Sequence, residues 1–186
     1  MKLSFVTLDV FTKQRFGGNP LAVVMDADAL STEQMQTIAR EFNLSETIFV
    51  RKPKDPAHTA SVRIFFPTAE IPFAGHPTIG CAIHLASLKQ KETCNFQTSI
   101  TLEEVAGLVP VTVTRIGPDM NAVFTAPVVP YSVEREMADV TLVARAAGLQ
   151  VEDIGFGAHT LGLHEGGPRF FYVPVKSADA LARTTP

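Results

Sequence analysis

The chain of 186 residues has only two cysteines, Cys81 and Cys94. Two are too few for a disulfide framework, and Cys81 lies inside an apolar run, so both are expected as reduced thiols. Basic runs are also missing: 16 Lys and Arg are scattered among 19 acids, for a net charge of −3. That distribution lacks the electrostatic footprint of a nucleic-acid partner or of binding to an anionic membrane surface. No apolar run approaches the ~18 residues of a membrane span. The stretch Met1 to Asp9 places an acid where a signal peptide needs its apolar centre, so a cytoplasmic location is expected. No Gly-x-Gly-x-x-Gly follows a strand in the required context, which leaves a nucleotide cofactor unsupported, and pyridoxal and flavin are equally unsupported. His159 and His164 stand five apart without an accompanying acid, a poor pattern for a metal. Neither a metal nor a cofactor is expected. No internal repeat is visible.

What is present is apolar content, 46% of the residues, ample for a core in one domain or two small ones. Lys2 to Phe11 alternates as a strand, with Val6, Leu8 and Val10 on one face. A polar turn rich in glycine, Thr12 to Gly18, leads through Asn19-Pro20 into a second strand, Leu21 to Met25. Leu30-Ser-Thr-Glu-Gln-Met35 is a helix start with Ser31 as cap, Gln34 completing a capping box and Leu30 with Met35 as its staple. Met35, Ile38, Ala39 and Phe42 then mark an amphipathic outer helix. Leu44 to Val50 and Ser61 to Phe66 read as strands, as do Ile100 to Leu102, Val109 to Arg115 and Ala122 to Thr125. Ala126-Pro-Val-Val-Pro130 is the best linker, which divides the chain into 1–125 and 126–186. Beyond it, Glu134 to Ala147 is predicted as a helix stopped by Gly148, Phe170 to Val175 as a strand, and Ser177 to Leu181 as the opening of another helix.

The organising stretch is Glu70-Ile-Pro-Phe-Ala-Gly-His-Pro-Thr-Ile-Gly80 and the run Cys81 to Leu88 after it. From Ile79 to Leu88 the apolar residues point all round a helix, which therefore belongs inside a domain. Pro77 suits the first helical position, which would make His76 the cap. Free N–H groups at such a start, beside the close backbone approach that Gly75 allows, favour a carboxylate or oxyanion. Glu46 stands at the mouth of a strand between Ser45 and Thr47. From the residues alone it is either a solvated acid or a site acid, and His76 either a cap or a site residue.

The run Pro72-Phe-Ala-Gly-His-Pro-Thr-Ile-Gly80 resembles the signature of the PhzF-like (phenazine biosynthesis) isomerase family, relatives by fold of diaminopimelate epimerase. Asp9-Val-Phe-Thr12, Phe16 to Val24 and Asn43 to Phe49 match further motifs in the same order, and the likeness continues more weakly to Phe170-Phe-Tyr-Val-Pro174. The resemblance implies an α/β fold of two similar halves, each a curled, mostly antiparallel sheet around a buried central helix. The first half would be an N-terminal epimerase-like domain, 1–125, and the second a partial C-terminal one, 126–186. A family motif resembling Glu-Asp-Pro-Ala-Thr-Gly-Ser-Ala, with a second acid, is absent, so the second half is expected to be incomplete.

The resemblance also implies a function: a cofactor-independent isomerase or epimerase that moves a proton between carbons of a small carboxylate by acid–base catalysis, as a homodimer. Glu46 would be the proton shuttle, with its pKa raised by desolvation. His76 and Gly75 would complete the catalytic set, and Gly18, Asn19, Pro77 and Thr78 would contact substrate. Two alternatives remain open at this stage. One is a catalytically incomplete fragment or binding protein of the same fold, and the other is a lyase or hydratase using the same site.

Overall fold

The computed structural model describes residues 2–90 and 94–185. It separates into two compact units, Met1–Val128 and Val129–Pro186.

The first unit opens with β1 (Phe5–Val10) and β2 (Asn19–Val24), an antiparallel pair in register from Phe5↔Val24 to Val10↔Asn19. Between them the chain turns through Phe11 and Phe16, both with left-handed backbone (φ 66° and 64°). Helix α1 (Thr32–Phe42) starts as its sequence dictates: the Ser31 hydroxyl accepts from the Gln34 N–H, and Gln34 Oε1 accepts from the Ser31 N–H. Leu30 and Met35 of the anticipated staple are both buried in one cluster. Then come β3 (Glu46–Arg51), β4 (Ala60–Phe65), the two-residue β5 (Glu70–Ile71), α2 (Gly75–Lys89), β6 (Phe96–Glu104), β7 (Gly107–Ile116) and β8 (Asp119–Phe124).

The strands form one sheet in the order β1-β2-β3-β4-β6-β7-β8, with β5 on β4. β2 runs parallel to β3, and β4 parallel to β6, while the other pairs are antiparallel. Helix α2 touches β1 and β2 from one end of this order and β7 and β8 from the other, so the sheet curls around it. Period-two alternation sorts the side chains between two faces. Leu21, Val23, Ile48, Val50, Val62 and Ile64 turn inward to α2, with Ile100, Leu102, Val109, Val111 and Val113. Val24, Phe49 and Phe65 turn outward to Met35 and Ala39 of α1. The helix lies very close to the strands at Gly80, where a Cβ would stand 2.6 Å from Leu21 Cδ2 and 2.8 Å from Val10 Cγ2. A larger residue there would have to push aside those two methyl groups or the helix itself.

Helix α2 begins two residues earlier than the sequence suggested. Its N-cap is Ala74, which has no capping side chain, and His76 is the second helical residue rather than the cap. Pro77 occupies the third position. That is tolerated because every N–H of the first turn lacks an intrahelical acceptor.

The second unit holds β9 (Tyr131–Ser132), α3 (Val140–Ala146), β10 (Gly162–Glu165), β11 (Arg169–Tyr172) and α4 (Ala178–Ala182). Its sheet is β11-β10-β9, antiparallel throughout. α3 is shorter than the predicted 134–147. Asp139 caps it, its carboxylate accepting from the Thr141 and Leu142 N–H groups, and residues 133–139 are irregular. Gly148 does end it, at φ 67°. Ser177 caps α4 through the Ala180 N–H. The hydrophobic side chains of this unit are thinly covered: Ala144, Leu149 and Ala180 are buried, but Phe170, Phe171 and Tyr172 are each more than two-fifths exposed.

Candidate active site

The first residue of β3 and the first turn of α2 meet through one side-chain pair. Glu46 and His76, thirty positions apart in sequence, pair there with Glu46 Oε2 2.7 Å from His76 Nδ1. Both side chains are well enclosed, 14% and 7% exposed. Burial pushes the Glu46 carboxyl up, but hydrogen bonding and charge from His76, with a smaller contribution from Ser45, outweigh it, and the pKa is lowered overall. This corrects the expectation of a raised pKa. The resting carboxylate is ionised and can only accept, so the hydrogen between the pair sits on His76 Nδ1, which donates it.

That leaves Nε2 as the free end of the imidazole. It is sealed from solvent and has no hydrogen-bond partner among the described residues. A buried polar atom without a partner costs about 1–3 kcal/mol. A ligand that reaches Nε2 recovers this.

The surrounding backbone is shaped for close approach. Gly75 opens α2 beneath the Phe124 ring, where a Cβ would stand 3.2 Å from Cζ. The N–H groups of Gly75 and His76 are first-turn donors with no intrahelical acceptor, aligned with the positive end of the helix dipole. Pro77 offers no N–H. Thr78 is fully buried, its hydroxyl 2.7 Å from the Ala74 carbonyl and 2.6 Å from Glu104 Oε1. Both of its polar groups are therefore engaged inside the protein, since the Thr78 N–H also donates to Ala74 O at 3.3 Å.

Asn19 opens β2 directly beside the start of β3, and the Ser45 hydroxyl donates to its Oδ1 at 2.7 Å. Gly18, just before it, leaves no room for a side chain, because a Cβ would collide with the Val10 carbonyl oxygen and Thr12 Cγ2. The structure thus gathers Glu46, His76 and Gly75 at one point and links Asn19 to them through Ser45, while it encloses Thr78 behind the helix start.

Sequence reasoning passed over three neighbours. Ser45 stood beside Glu46 in the matching stretch Asn43 to Phe49, a signal that could have been used. Phe11, 72% exposed with its ring centroid 6.3 Å from that of His76, stood in the matching stretch Asp9-Val-Phe-Thr12, but nothing local marks its left-handed backbone. Glu104 was indistinguishable from its neighbour Glu103. His159 and His164 belong to the second unit, His159 against the Phe156 ring and His164 against Tyr172.

Residues 8–186 match the sequence profile described as phenazine biosynthesis-like protein, PhzC-PhzF. The chain is 42% identical over 180 residues to an isomerase of Mesorhizobium japonicum described as uncharacterised, covering 97% of this chain and 58% of that one. It is 36% identical over 185 residues to the trans-2,3-dihydro-3-hydroxyanthranilate isomerase of Pseudomonas fluorescens, covering 98% and 61%. Among solved structures, a predicted epimerase of Pseudomonas aeruginosa superposes with a TM-score of 0.82 at 29% identity, covering 98% of this chain and 62% of that chain. The profile match runs through to residue 186. The chain spans about three-fifths of the length of the relatives it matches. Among the described residues no helix is long and apolar enough to cross a membrane.

Proposed function

Since the chain belongs to the phenazine biosynthesis-like PhzC-PhzF family of isomerases, we propose that it isomerises a small unsaturated carboxylate by cofactor-independent proton transfer at Glu46 and His76. The observation that carries this reading is the sealed, unpartnered Nε2 of His76, on a ring whose other nitrogen is tied to an ionised carboxylate. An ionised base and an unfilled hydrogen-bonding position in one enclosed place are what a proton-transfer site requires.

In this reading the substrate carboxylate lies at the N–H groups of Gly75 and His76, where the helix dipole favours negative charge. Glu46 takes a proton from a carbon conjugated to that carboxylate. The C–H electron pair moves into the conjugated system, the double bond migrates, and the developing charge is held by the same donors. Glu46, now neutral, returns the proton at the far carbon, and the formula of the substrate is unchanged. His76 supports both steps. Its Nδ1–H holds the carboxylate in place, and Nε2 contacts the substrate.

Gly18 and Asn19 line the approach to Glu46, and Pro77 fixes the backbone behind His76. The dihydro-hydroxyanthranilate that names the Pseudomonas fluorescens relative is a substrate of this class. Incubating the protein with it in D2O and following the product by mass spectrometry and proton NMR tests the reading. Isomerised product is expected, of unchanged mass where the abstracted proton is returned or one mass unit heavier where solvent deuterium replaces it. Loss of water, or no turnover, would overturn it.

A further inference from the structure

Helix α2 presents the Gly75 and His76 N–H groups without a capping side chain of its own, because Ala74 has none to offer. Something else must hold that first turn in position. Glu104, the last residue of β6, is buried at its back. Its Oε1 lies 2.6 Å from the Thr78 hydroxyl, which in turn lies 2.7 Å from the carbonyl oxygen of Ala74, the cap residue. Two residues on, the Ala106 N–H donates to the Pro72 carbonyl at 3.0 Å. The turn between β6 and β7 thus grips the loop entering α2 at two points, one of them through a side chain.

We propose that Glu104 is a positioning residue, which through Thr78 and the Ala74 carbonyl sets the α2 first turn and with it the alignment of His76 against Glu46.

The hydrogen count makes the linkage sensitive to one proton. Thr78 has a single hydroxyl hydrogen and two acceptors within reach. With Glu104 protonated, its O–H donates to Thr78 Oγ1 and the Thr78 hydrogen goes to Ala74, so the chain of bonds is complete. With Glu104 ionised, the hydroxyl hydrogen turns to the carboxylate and Ala74 loses that donor. Burial pushes the Glu104 carboxyl up to about 7, with Thr78 pulling the other way, so the two arrangements exchange near neutral pH.

The groups around Glu104 leave its carboxyl to Thr78. Cys81 of α2 is a buried thiol whose pKa is raised by burial and by Glu104 itself, so it stays neutral. Glu103 on the same strand is committed to His58 and to the Lys54 and Asp55 N–H groups. Lys54, Asp55 and His58 join Glu103 and Glu104 only around an open depression of about 410 Å³. Glu104 Oε2 is sealed off and has no partner among the described residues.

The proposal rests on the Glu46–His76 reading for its functional meaning, but its test does not need turnover. The 15N-labelled protein is titrated from pH 5 to 9, and the ring nitrogens of His76 are followed by long-range 1H–15N correlation in wild type, Glu104→Gln, Thr78→Val and Thr78→Ser, with His159 as internal reference. In wild type the His76 signals are expected to show an added inflection near pH 7. It should vanish in Glu104→Gln and Thr78→Val and persist in Thr78→Ser, which keeps the hydroxyl. The two Thr78 variants decide the matter should Glu104→Gln fail to fold. A His76 titration with the same shape in wild type, Glu104→Gln and Thr78→Val would overturn the proposal. Unchanged turnover on Glu46→Gln, with the His76 coupling intact, would instead remove the proton-transfer reading alone.

Discussion

The first unit contains two Glu–His pairs of nearly equal geometry. Glu46 meets His76 at 2.7 Å, and Glu103 meets His58 at 2.9 Å, each through Nδ1. Both glutamates are similarly enclosed, 14% and 10% exposed. What separates them is the remaining inventory of partners. Glu103 also accepts the N–H groups of Lys54 and Asp55, and these bonds, the Asp55 one foremost, hold its carboxyl down to about 2 in spite of burial. It is saturated, and it pins the turn between β3 and β4. Glu46 takes side-chain bonds from His76 and Ser45 but none from a backbone N–H among the described residues, and its histidine ends in a sealed nitrogen with nothing to bond. The same two side chains are a staple in one place and, in the proposed function, a proton-transfer pair in the other, and the backbone donors separate the two.

The largest expected effect tests that contrast directly. Glu46→Gln should lower turnover by ~10² or more, the usual scale for a general acid–base group, whereas Glu103→Gln should leave turnover within about twofold. Steady-state rates on one substrate decide it, and equal losses would erase the distinction. Next in size is a difference in the slope of stability with pH. Glu104 has its folded pKa raised from 4.5 to about 7. Its contribution is therefore fully present below 4.5 and lost as pH rises through 7. Urea unfolding free energies should show wild type losing about 3 kcal/mol relative to Glu104→Gln between pH 4.5 and 8.

Glu103 should behave with the opposite sign. Its lowered pKa gives stability that is present above 4.5 and lost as pH falls toward 2. Glu103→Gln should thus cost about 1 kcal/mol at pH 7, a difference that shrinks in the same urea experiment at pH 3. The smallest effect belongs to Ser45→Ala, which removes the least of the influences that lower the Glu46 carboxyl. The Glu46 carboxyl 13C midpoint should move up slightly, and less than it does in His76→Ala. A larger move in Ser45→Ala would mean that Ser45, not His76, governs the acid.

These contrasts also show where a sequence is informative. The α1 start was legible because a capping box is local, complete within Ser31 to Gln34. The β6–β7 pair was legible from clean alternation on either side of Gly107, and the inward orientation of α2 from its all-round apolar surface. The start of α2 was misplaced because proline satisfies several first-turn positions equally. α3 was drawn too long because a periodic pattern over 134–139 had no buried face to keep it helical. β10 was hidden by its glycines. Glu46, His76 and Gly75 were singled out as candidates through motif resemblance, since nothing in local spacing brings positions 46 and 76 together, and the structure pairs Glu46 with His76. Which of Glu103 and Glu104 turns to the solvent-side turn and which to the helix is a matter of strand register, fixed only once β4 and β6 pair.

The apolar circumference of α2 bears on how the molecule is made as well as on what it does. A helix with no face for water gains little by forming alone, and the strands that enclose it come from both ends of the first unit, β1 near residue 8 and β8 near residue 122. Its neighbours must therefore be brought together across long loops before it is stable, the condition that slows folding in chains of high contact order. Helical signal and chain compaction should accordingly appear in a single late phase in stopped-flow refolding, and early helix formation would contradict this. The helix start that holds His76 would then be among the last parts of the first unit to take shape.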